Sequence, residues 1–283
     1  MWVPIRRVVT WLLSRALATA LRRPGVASRV QFVGYRPSRP GDDAALRLAS
    51  DGDLTRLILE PGTDLAYALG ERRCAGTITE GRHVACANAD APYCRAHTST
   101  WICAKCTGEC LKDEMDCHEA HVVYLAGFAP DTVKVGVTRE WRLETRLREQ
   151  GADVAAHLRT VENGRIAREI EADIAAEHGI PDRVRVPTKV AGLHETMDDA
   201  VWRDALAGFD PVEVLELDYG FALDSQPVPE VLATGTVRGV QGRVCCLERA
   251  GTTYAVDLRD LVGHEARAEA SGRDLQASLG AFS

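Results

Sequence analysis

The sequence lacks long hydrophobic runs. No apolar stretch in its 283 residues reaches the roughly 18 residues that a helix needs to cross a bilayer, so we expect no membrane association of residues 30–283. Lysine is scarce too, with four lysines beside thirty arginines. Internal repeats and low-complexity tracts are absent. With 46% hydrophobic and 27% charged residues, the chain has the composition of an ordinary globular protein.

Acidic residues are missing from residues 1–29, which carry six arginines. The rest of the chain is therefore more acidic than the overall net charge of −7 indicates. Arg6 and Arg7 precede an apolar stretch, as in some export signals, but Arg15 interrupts it and no convincing small-residue cleavage site follows. An amphipathic surface helix, an inserted signal and non-native sequence from an upstream start codon all remain open. Globular patterning begins at Val30, and we expect a cytoplasmic protein.

Cysteine is unevenly distributed, since seven of the nine cysteines fall within 44 residues. A disulfide scaffold is normally a short secreted chain with cysteines throughout, whereas these are crowded inside a larger chain. Residues 74–120 are also poor in large aliphatic side chains, so a metal would substitute for an apolar core. We therefore expect a zinc-binding module there. A redox cluster, unligated thiols and an iron–sulfur cluster are the alternatives.

The candidate ligands have zinc-like spacing. Tetrahedral zinc takes four thiolate or imidazole ligands, and a pair three residues apart lets one turn present two of them. The eight candidates divide into two sets, each with one such pair: Cys74, Cys86, Cys94 and His97, and then Cys103, Cys106, Cys110 and Cys117. His118 and His121 could replace a ligand of the second set. We expect one or two structural zinc ions without an open catalytic position.

The pattern changes after residue 120 to that of a small α/β domain. Short apolar runs around Tyr124 and Val135 predict two strands joined by a hairpin loop. Asn163 is typical of a helix N-cap, and the isoleucines that follow it recur at four-residue spacing. The predicted order is strand, strand, helix, strand, helix, with a helix over residues 139–150 and a third strand over Ala155–Val161.

This order, with Tyr124 on the first strand and Gly136 on the second, resembles the GIY-YIG nuclease superfamily. That superfamily places a tyrosine on strand one, Tyr-x-Gly on strand two, an arginine on the next helix and a metal-binding glutamate on the second helix. Arg146 and Glu171 stand at the corresponding places, and Lys134 replaces the second tyrosine. The cysteine-rich stretch followed by His-Val-Val-Tyr-Leu-Ala, Lys-Val-Gly-Val-Thr-Arg and Gln-Gly-Ala also resembles an uncharacterised prokaryotic domain-of-unknown-function family, over roughly residues 30–262.

The nuclease resemblance implies a magnesium or manganese ion at Glu171, Arg146 against the phosphate, and Tyr124 orienting the attacking water. Lys134 could still contact phosphate, so binding could survive where cleavage has been lost. The plain alternative makes Tyr124 a core aromatic and Arg146 and Glu171 surface charges. An enzyme should gather these residues around one accessible groove, whereas a Glu171 buried against an arginine without a groove argues against a nuclease.

The sequence thus predicts an α+β protein in which a zinc module packs on a GIY-YIG-like domain, with antiparallel strands at both ends forming one sheet. The predicted function is zinc and nucleic-acid binding, extended to metal-dependent phosphodiester cleavage. The alternative is a non-catalytic zinc-scaffolded module for a protein or RNA partner. The predicted segments are an extension (1–29), N-terminal strands (30–73), the zinc module (74–120), the α/β domain (121–207), a C-terminal β domain (208–263) and a polar tail (264–283).

Overall fold

The computed structural model describes residues 29–39, 41–98 and 119–275. Within these residues the protein is mixed α/β and mostly sheet. The strands are β1 (Arg29–Arg36), β2 (Ala45–Ser50), β3 (Asp53–Ile58), β4 (Asp64–Arg72), β5 (Thr77–Thr79), β6 (Arg82–Val84), β7 (His121–Phe128), β8 (Thr132–Arg139), β9 (Val154–Val161), β10 (Glu213–Glu216), β11 (Val228–Pro229), β12 (Ala233–Gln241), β13 (Val244–Arg249), β14 (Thr252–Asp257) and β15 (His264–Arg267). The helices are α1 (Leu143–Gln150), α2 (Gly164–His178), α3 (Val186–Gly192), α4 (Asp199–Leu206) and α5 (Leu258–Leu261).

The large sheet combines strands from residues 29–72 and 228–267 in the order β11-β14-β13-β12-β4-β15-β1-β2-β3. The prediction that the flanking strands form one sheet is confirmed. The predicted polar tail differs, because it begins with strand β15, which pairs with β1 on one side and β4 on the other. A four-residue strand with one buried side chain, Ala266, carries too little hydrophobic alternation to be recognised in the sequence.

The large sheet buries most of its apolar residues in one main core. Phe32, Leu46, Leu247, Val256 and Leu258 belong to the same cluster, which therefore joins residues more than 200 positions apart. Non-local apolar contacts of this kind hold the N-terminal and C-terminal strands together.

The small sheet has the order β10-β9-β7-β8 and is antiparallel throughout. Every residue of its inner strand β7 is buried, because side chains alternate between two covered faces. Tyr124 packs with Leu147 of α1 on one face, whereas Val123 packs with Ile174 of α2 on the other. The predicted order of strand, strand, helix, strand, helix is confirmed, and β10 extends this sheet beyond the boundary predicted at residue 207.

Local signals fix the helix ends. The Asn163 side chain accepts a hydrogen bond from the Ile166 backbone N–H at 3.0 Å, which caps the start of α2 as predicted. Helix α1 ends at Gly151, whose φ of 73° is the left-handed conformation typical of a helix C-terminus. Among the described residues, no helix is both long and apolar enough to span a membrane.

The two sheets meet at the end of α1. Gly151 lies against Gly242, in the turn between β12 and β13, and a Cβ on Gly242 would come within 2.7 Å of the Gly151 nitrogen. The Gln241 amide donates to the Gly151 carbonyl at 3.1 Å and to the Asp153 carboxylate at 2.8 Å. This contact fixes the position of α1 against the large sheet.

Candidate metal centre and basic cleft

The first predicted ligand set converges. The ligand atoms of Cys74, Cys86, Cys94 and His97, here named the Cys3His cluster, all lie within 4.8 Å of one another. His97 Nδ1 lies 3.4 Å from the Cys74 sulfur and 3.3 Å from the Cys94 sulfur. Zinc bonds of about 2.3 Å to sulfur and about 2.0 Å to nitrogen put tetrahedral ligand atoms roughly 3.5–3.8 Å apart. The cluster could therefore hold a zinc ion with little rearrangement.

Backbone groups support this cluster. The N–H groups of Gly76 and Cys94 point at the Cys74 sulfur from 3.4 and 3.3 Å, and such donors stabilise a thiolate. The turn that carries Cys94 and His97 is closed by the His97 N–H, which donates to the Cys94 carbonyl at 2.9 Å. Two ligands three residues apart are thereby presented together, as the spacing predicts.

The Cys3His cluster is attached to the large sheet. Buried Gln31 of β1 donates from its amide to the Cys74 carbonyl at 3.2 Å and to the Gly263 carbonyl at 3.1 Å. Ala75 also packs with Val33 and Val262 in one apolar cluster. A metal bound here would therefore stabilise the junction between β1 and the C-terminal part of the sheet.

The second predicted ligand set lies outside the described residues. Cys103, Cys106, Cys110 and Cys117, together with the spare ligand His118, fall in residues 99–118. The other spare, His121, is buried at the start of β7, where its Nδ1 lies 2.6 Å from the Glu119 carbonyl oxygen. That contact provides one partner for the imidazole without a metal.

The four residues of the nuclease resemblance lie close together around β7 and β8. Tyr124 is 1% exposed, and its hydroxyl accepts a hydrogen bond from the Gln150 amide at 2.7 Å. Opposite it, Gly136 leaves the space that the ring occupies, since a Cβ there would lie 2.6 Å from the hydroxyl. Burial raises the pKa of the Tyr124 phenol, opposed by the charge of Arg146 and the bond from Gln150. The phenol therefore stays protonated near neutral pH.

Glu171 is buried in an ion pair. Its side chain in α2 is 9% exposed, and its carboxylate accepts a hydrogen bond from Arg168 at 2.5 Å. Lys134 lies near enough to feel its negative charge, although burial lowers the pKa of this lysine to about 8. Two cations thus compete with a divalent ion for one carboxylate, and magnesium usually requires one or two free carboxylates together with substrate phosphates.

Arg146 differs from these neighbours because it lines a cleft. The cleft has a volume of about 1260 Å³, compared with about 300–1,000 Å³ for typical small-molecule sites. It opens between α1, α3 and the large sheet, and its lining includes Gln150 of α1, Lys189 of α3 and Arg243 of the β12–β13 turn. Tyr124 does not line this cleft but is connected to it through the hydrogen bond from Gln150.

Glu149 gathers three guanidinium groups at one edge of the cleft. Arg142, Arg39 and Arg146 approach its carboxylate at 3.1, 3.3 and 3.6 Å. One negative charge therefore faces three positive charges, in a chain whose overall net charge is −7. Negative charge is therefore scarce at this edge of the cleft, although the protein as a whole is acidic.

Sequence reasoning missed most of the cleft. Two of its residues stand out in the sequence. Lys189 is one of only four lysines, and Gln150 lies in the Gln-Gly-Ala segment that ends α1. No sequence feature marks Arg243 or Arg39, because only the assembled large sheet brings them near α1. The cleft is a property of the tertiary structure.

Comparisons with known proteins support the family and no specific activity. No curated protein and no solved structure matches the chain. The expected membership of an uncharacterised domain family is confirmed, while the GIY-YIG resemblance receives no support from these comparisons. Residues 64–219, more than half of the chain, match the family described as Protein of unknown function (DUF2797), and the chain therefore belongs to that family.

Proposed function

We propose that this protein is a cytoplasmic, zinc-stabilised nucleic-acid-binding protein that holds phosphate groups without cleaving them. The observation that carries the proposal is the contrast between Arg146 and Glu171. Arg146 lines an open, positively charged cleft, whereas Glu171 is buried against Arg168. A phosphate-binding cation is thus accessible, while the carboxylate that cleavage needs is already paired.

Zinc has a structural role in this proposal. The Cys3His cluster supplies four protein ligands, which fills a tetrahedral ion and leaves no position for a substrate. One zinc ion would bind there, and the later set from Cys103 to Cys117 is the predicted site for a second. The metal would hold the segment around Cys74 in place against β1.

Metal-dependent cleavage is the second candidate function, and one observation favours it. Lys134, Arg146 and Glu171 lie near enough to one another for their charges to influence the pKa of Lys134, as the GIY-YIG resemblance implies for a shared site. Cleavage would require Glu171 to exchange Arg168 for magnesium or manganese. Tyr124 would then orient water while keeping its own proton.

A binding and cleavage assay separates the two candidates. Labelled DNA and RNA are incubated with manganese and with wild type, Arg146→Ala, Glu171→Gln or the control Arg238→Ala, an exposed arginine of β12 outside the cleft that pairs with Glu248. We expect wild type to bind without cleaving, Arg146→Ala to bind more weakly, and the other two variants to bind normally. Cleavage by wild type that Glu171→Gln abolishes would establish the nuclease instead. A wild type that binds no nucleic acid would contradict both candidates and leave a protein partner.

A further inference from the structure

The lining of the cleft has an excess of positive charge. Its carboxylates are Glu149, Glu230, Asp257 and Asp260, and its cations are Arg36, Arg39, Arg47, Arg146, Arg185, Lys189 and Arg243. Every one of the carboxylates is already in an ion pair. Glu149 is shared by three arginines, Asp257 pairs with Arg243 at 2.7 Å, and Glu230 and Asp260 pair with arginines outside the cleft. The lining therefore has more cations than it can neutralise.

Lys189 is one of the half-buried cations of this lining. Its Nζ donates to the Gln150 carbonyl at 2.6 Å and lies 4.1 Å from the centre of the Phe128 ring. Within the described chain, no carboxylate forms an ion pair with Lys189, Arg47 or Arg185. Burial and the charges of Lys134, Arg243 and Arg146 together lower the pKa of Lys189 to about 7, with Asp153 opposing. An anion beside Nζ would relieve this repulsion.

Buried polar atoms without partners occur in the same lining. Arg39 Nε and Arg243 Nε are donors, and Gln150 Oε1 is an acceptor, and none of the three has a hydrogen-bond partner among the described residues. The three atoms lie just beneath the surface of the cleft, and after small side-chain rotations phosphate oxygens would satisfy the two donors. The Gln150 acceptor needs a donor, which a plain inorganic anion lacks but which a sugar hydroxyl or a base N–H supplies. The complete set fits a nucleotide better than a simple anion.

The apolar part of the lining suits unpaired bases. Tyr35, Pro37, Pro187 and Pro229 face the same cleft as the cations. Single strands are bound by a basic groove combined with flat apolar or aromatic surfaces for the bases, whereas a duplex keeps its base faces stacked inside. A concave site with both kinds of lining therefore selects a single strand.

We propose that Lys189, Arg146 and Arg243 form a phosphate site for the backbone of single-stranded nucleic acid, with Gln150 accepting from a sugar or base. This inference rests on the proposed function and assigns it a location and a substrate class. Lys189 and Arg243 gain a role that the resemblance to nucleases does not imply. The Gly151–Gly242 contact keeps both halves of the site at a fixed distance.

The test is a binding titration of the full-length protein at several salt concentrations. The probes are a labelled single-stranded oligonucleotide without terminal phosphates, the matching duplex, and inorganic tripolyphosphate. The variants are Lys189→Gln, Arg243→Gln and Lys189→Arg, with Arg238→Gln as the control outside the cleft. Thermal unfolding of each variant verifies that it is folded, and Lys189→Arg keeps the charge if Lys189→Gln does not fold.

We expect Lys189→Gln and Arg243→Gln each to weaken single-strand binding about tenfold. Each should also make the dependence of log K on log salt shallower by about 0.7, the value for one phosphate contact on a single strand. Lys189→Arg and Arg238→Gln should leave both quantities close to those of wild type. Duplex should bind more weakly than single strand.

The outcomes distinguish this inference from the proposed function. If wild type binds the oligonucleotide and folded Lys189→Gln and Arg243→Gln bind it equally well with the same salt slope, the phosphate site is wrong and the proposed function stands. If wild type binds only tripolyphosphate, and Lys189→Gln does not, the phosphate site stands and nucleic-acid binding is wrong. Equal or tighter duplex binding overturns the single-strand assignment, and a wild type that binds no probe overturns the entire inference.

Discussion

The Cys3His cluster brings together metal-ligating side chains and the basic cleft brings together cations, but the two sites differ in how far apart their residues lie in the sequence. The ligands of the cluster lie within 24 residues, between Cys74 and His97, on either side of the β5–β6 hairpin and in the turn that carries Cys94 and His97. The lining of the cleft extends from Tyr35 to Asp260, and only the completed sheets place its members side by side. The cluster forms from residues close together in the sequence, whereas the cleft forms from residues far apart in it.

The two sites also need opposite partners. The ligand atoms of the cluster lie within 4.8 Å of one another, and the three cysteines repel one another as thiolates unless a cation lies between them. In the cleft, cations outnumber carboxylates, and buried donors lack acceptors. We infer that a metal ion completes the first site and a polyanion the second.

Loss of the metal should have the largest effect. Cys94→Ser is expected to remove one bound metal ion and to lower the free energy of unfolding by several kcal/mol, because a structural zinc contributes directly to folding. This corresponds to a fall in melting temperature of roughly 5–10 °C. Metal content by mass spectrometry and thermal unfolding with and without a chelator measure both effects.

The matched control is Cys246→Ala, a buried cysteine in β13 that belongs to no ligand set. It should retain all bound metal and lose only about 1 kcal/mol, the usual consequence of a small core truncation. Full metal content and unchanged stability in Cys94→Ser would mean that the Cys3His cluster holds no ion.

Separating the two halves of the cleft should have the next largest effect. Gly242→Ala introduces a Cβ at a φ of 60° and brings it within 2.7 Å of the Gly151 nitrogen, where neither backbone can give way easily. We expect a loss of roughly 2–4 kcal/mol from backbone strain and overlap together. Equilibrium denaturation in urea measures the change in the free energy of unfolding.

Gly251→Ala isolates the strain from the overlap. This glycine has a similar φ of 74°, and a Cβ added to it would have no neighbour within 4 Å. The variant should therefore lose only about 1–2 kcal/mol. Equal losses for the two variants would mean that the Gly151–Gly242 contact does not hold the sheets together.

The contrast of scales explains how much of the protein the sequence predicts. The order of elements from β7 to α2 is recovered because strand alternation, the cap at Asn163 and the glycine that ends α1 are all local signals. The Cys3His cluster is anticipated for the same reason, since ligand spacing limits which side chains one turn can present. Strand β15 is missed because its main stabilisation is pairing with β1 and β4, which are distant in the chain.

The cleft could not be predicted for a comparable reason. Arg39 and Arg243 look like ordinary surface residues in the sequence, and they become part of one site only when the large sheet meets α1. For Glu171 the position is predicted correctly, but its surroundings are not. Its place on α2 agrees with the resemblance, but its pairing with Arg168, one turn earlier on the same helix, depends on the burial of both side chains. Burial of that kind follows from tertiary packing, and residue spacing does not predict it.

The pH dependence of binding should be smaller than the effects on folding, and it probes the cleft directly. Lys189 holds a phosphate only as an ammonium ion, so affinity should be highest below its pKa of about 7 and fall as the pH rises. A bound phosphate opposes Lys134, Arg243 and Arg146 and raises the pKa, which moves the fall to higher pH. We expect a loss of about tenfold across the transition, as for one charge-assisted contact.

The measurement uses a single-stranded oligonucleotide without terminal phosphates, because its phosphodiesters do not titrate near neutral pH. Lys189→Arg should abolish the pH dependence, since a guanidinium stays charged throughout this range. A pH dependence that persists in Lys189→Arg with a midpoint near pH 8 would assign the titration to Lys134 instead.

Removal of the shared carboxylate should have the smallest effect, and it distinguishes a ligand site from a structural ion-pair network. In Glu149→Gln the guanidiniums of Arg39, Arg142 and Arg146 lose their common partner, which should lower the free energy of unfolding by about 1 kcal/mol. The same change adds one net positive charge at the cleft, so affinity for single strands should rise a few-fold. Glu144→Gln on the same helix is the control, since it breaks only the exposed pair with Arg148 and should change neither quantity by much. A Glu149→Gln protein that is less stable and also binds more weakly would show that the arginines serve the fold and that the cleft, unlike the Cys3His cluster, needs no partner of opposite charge.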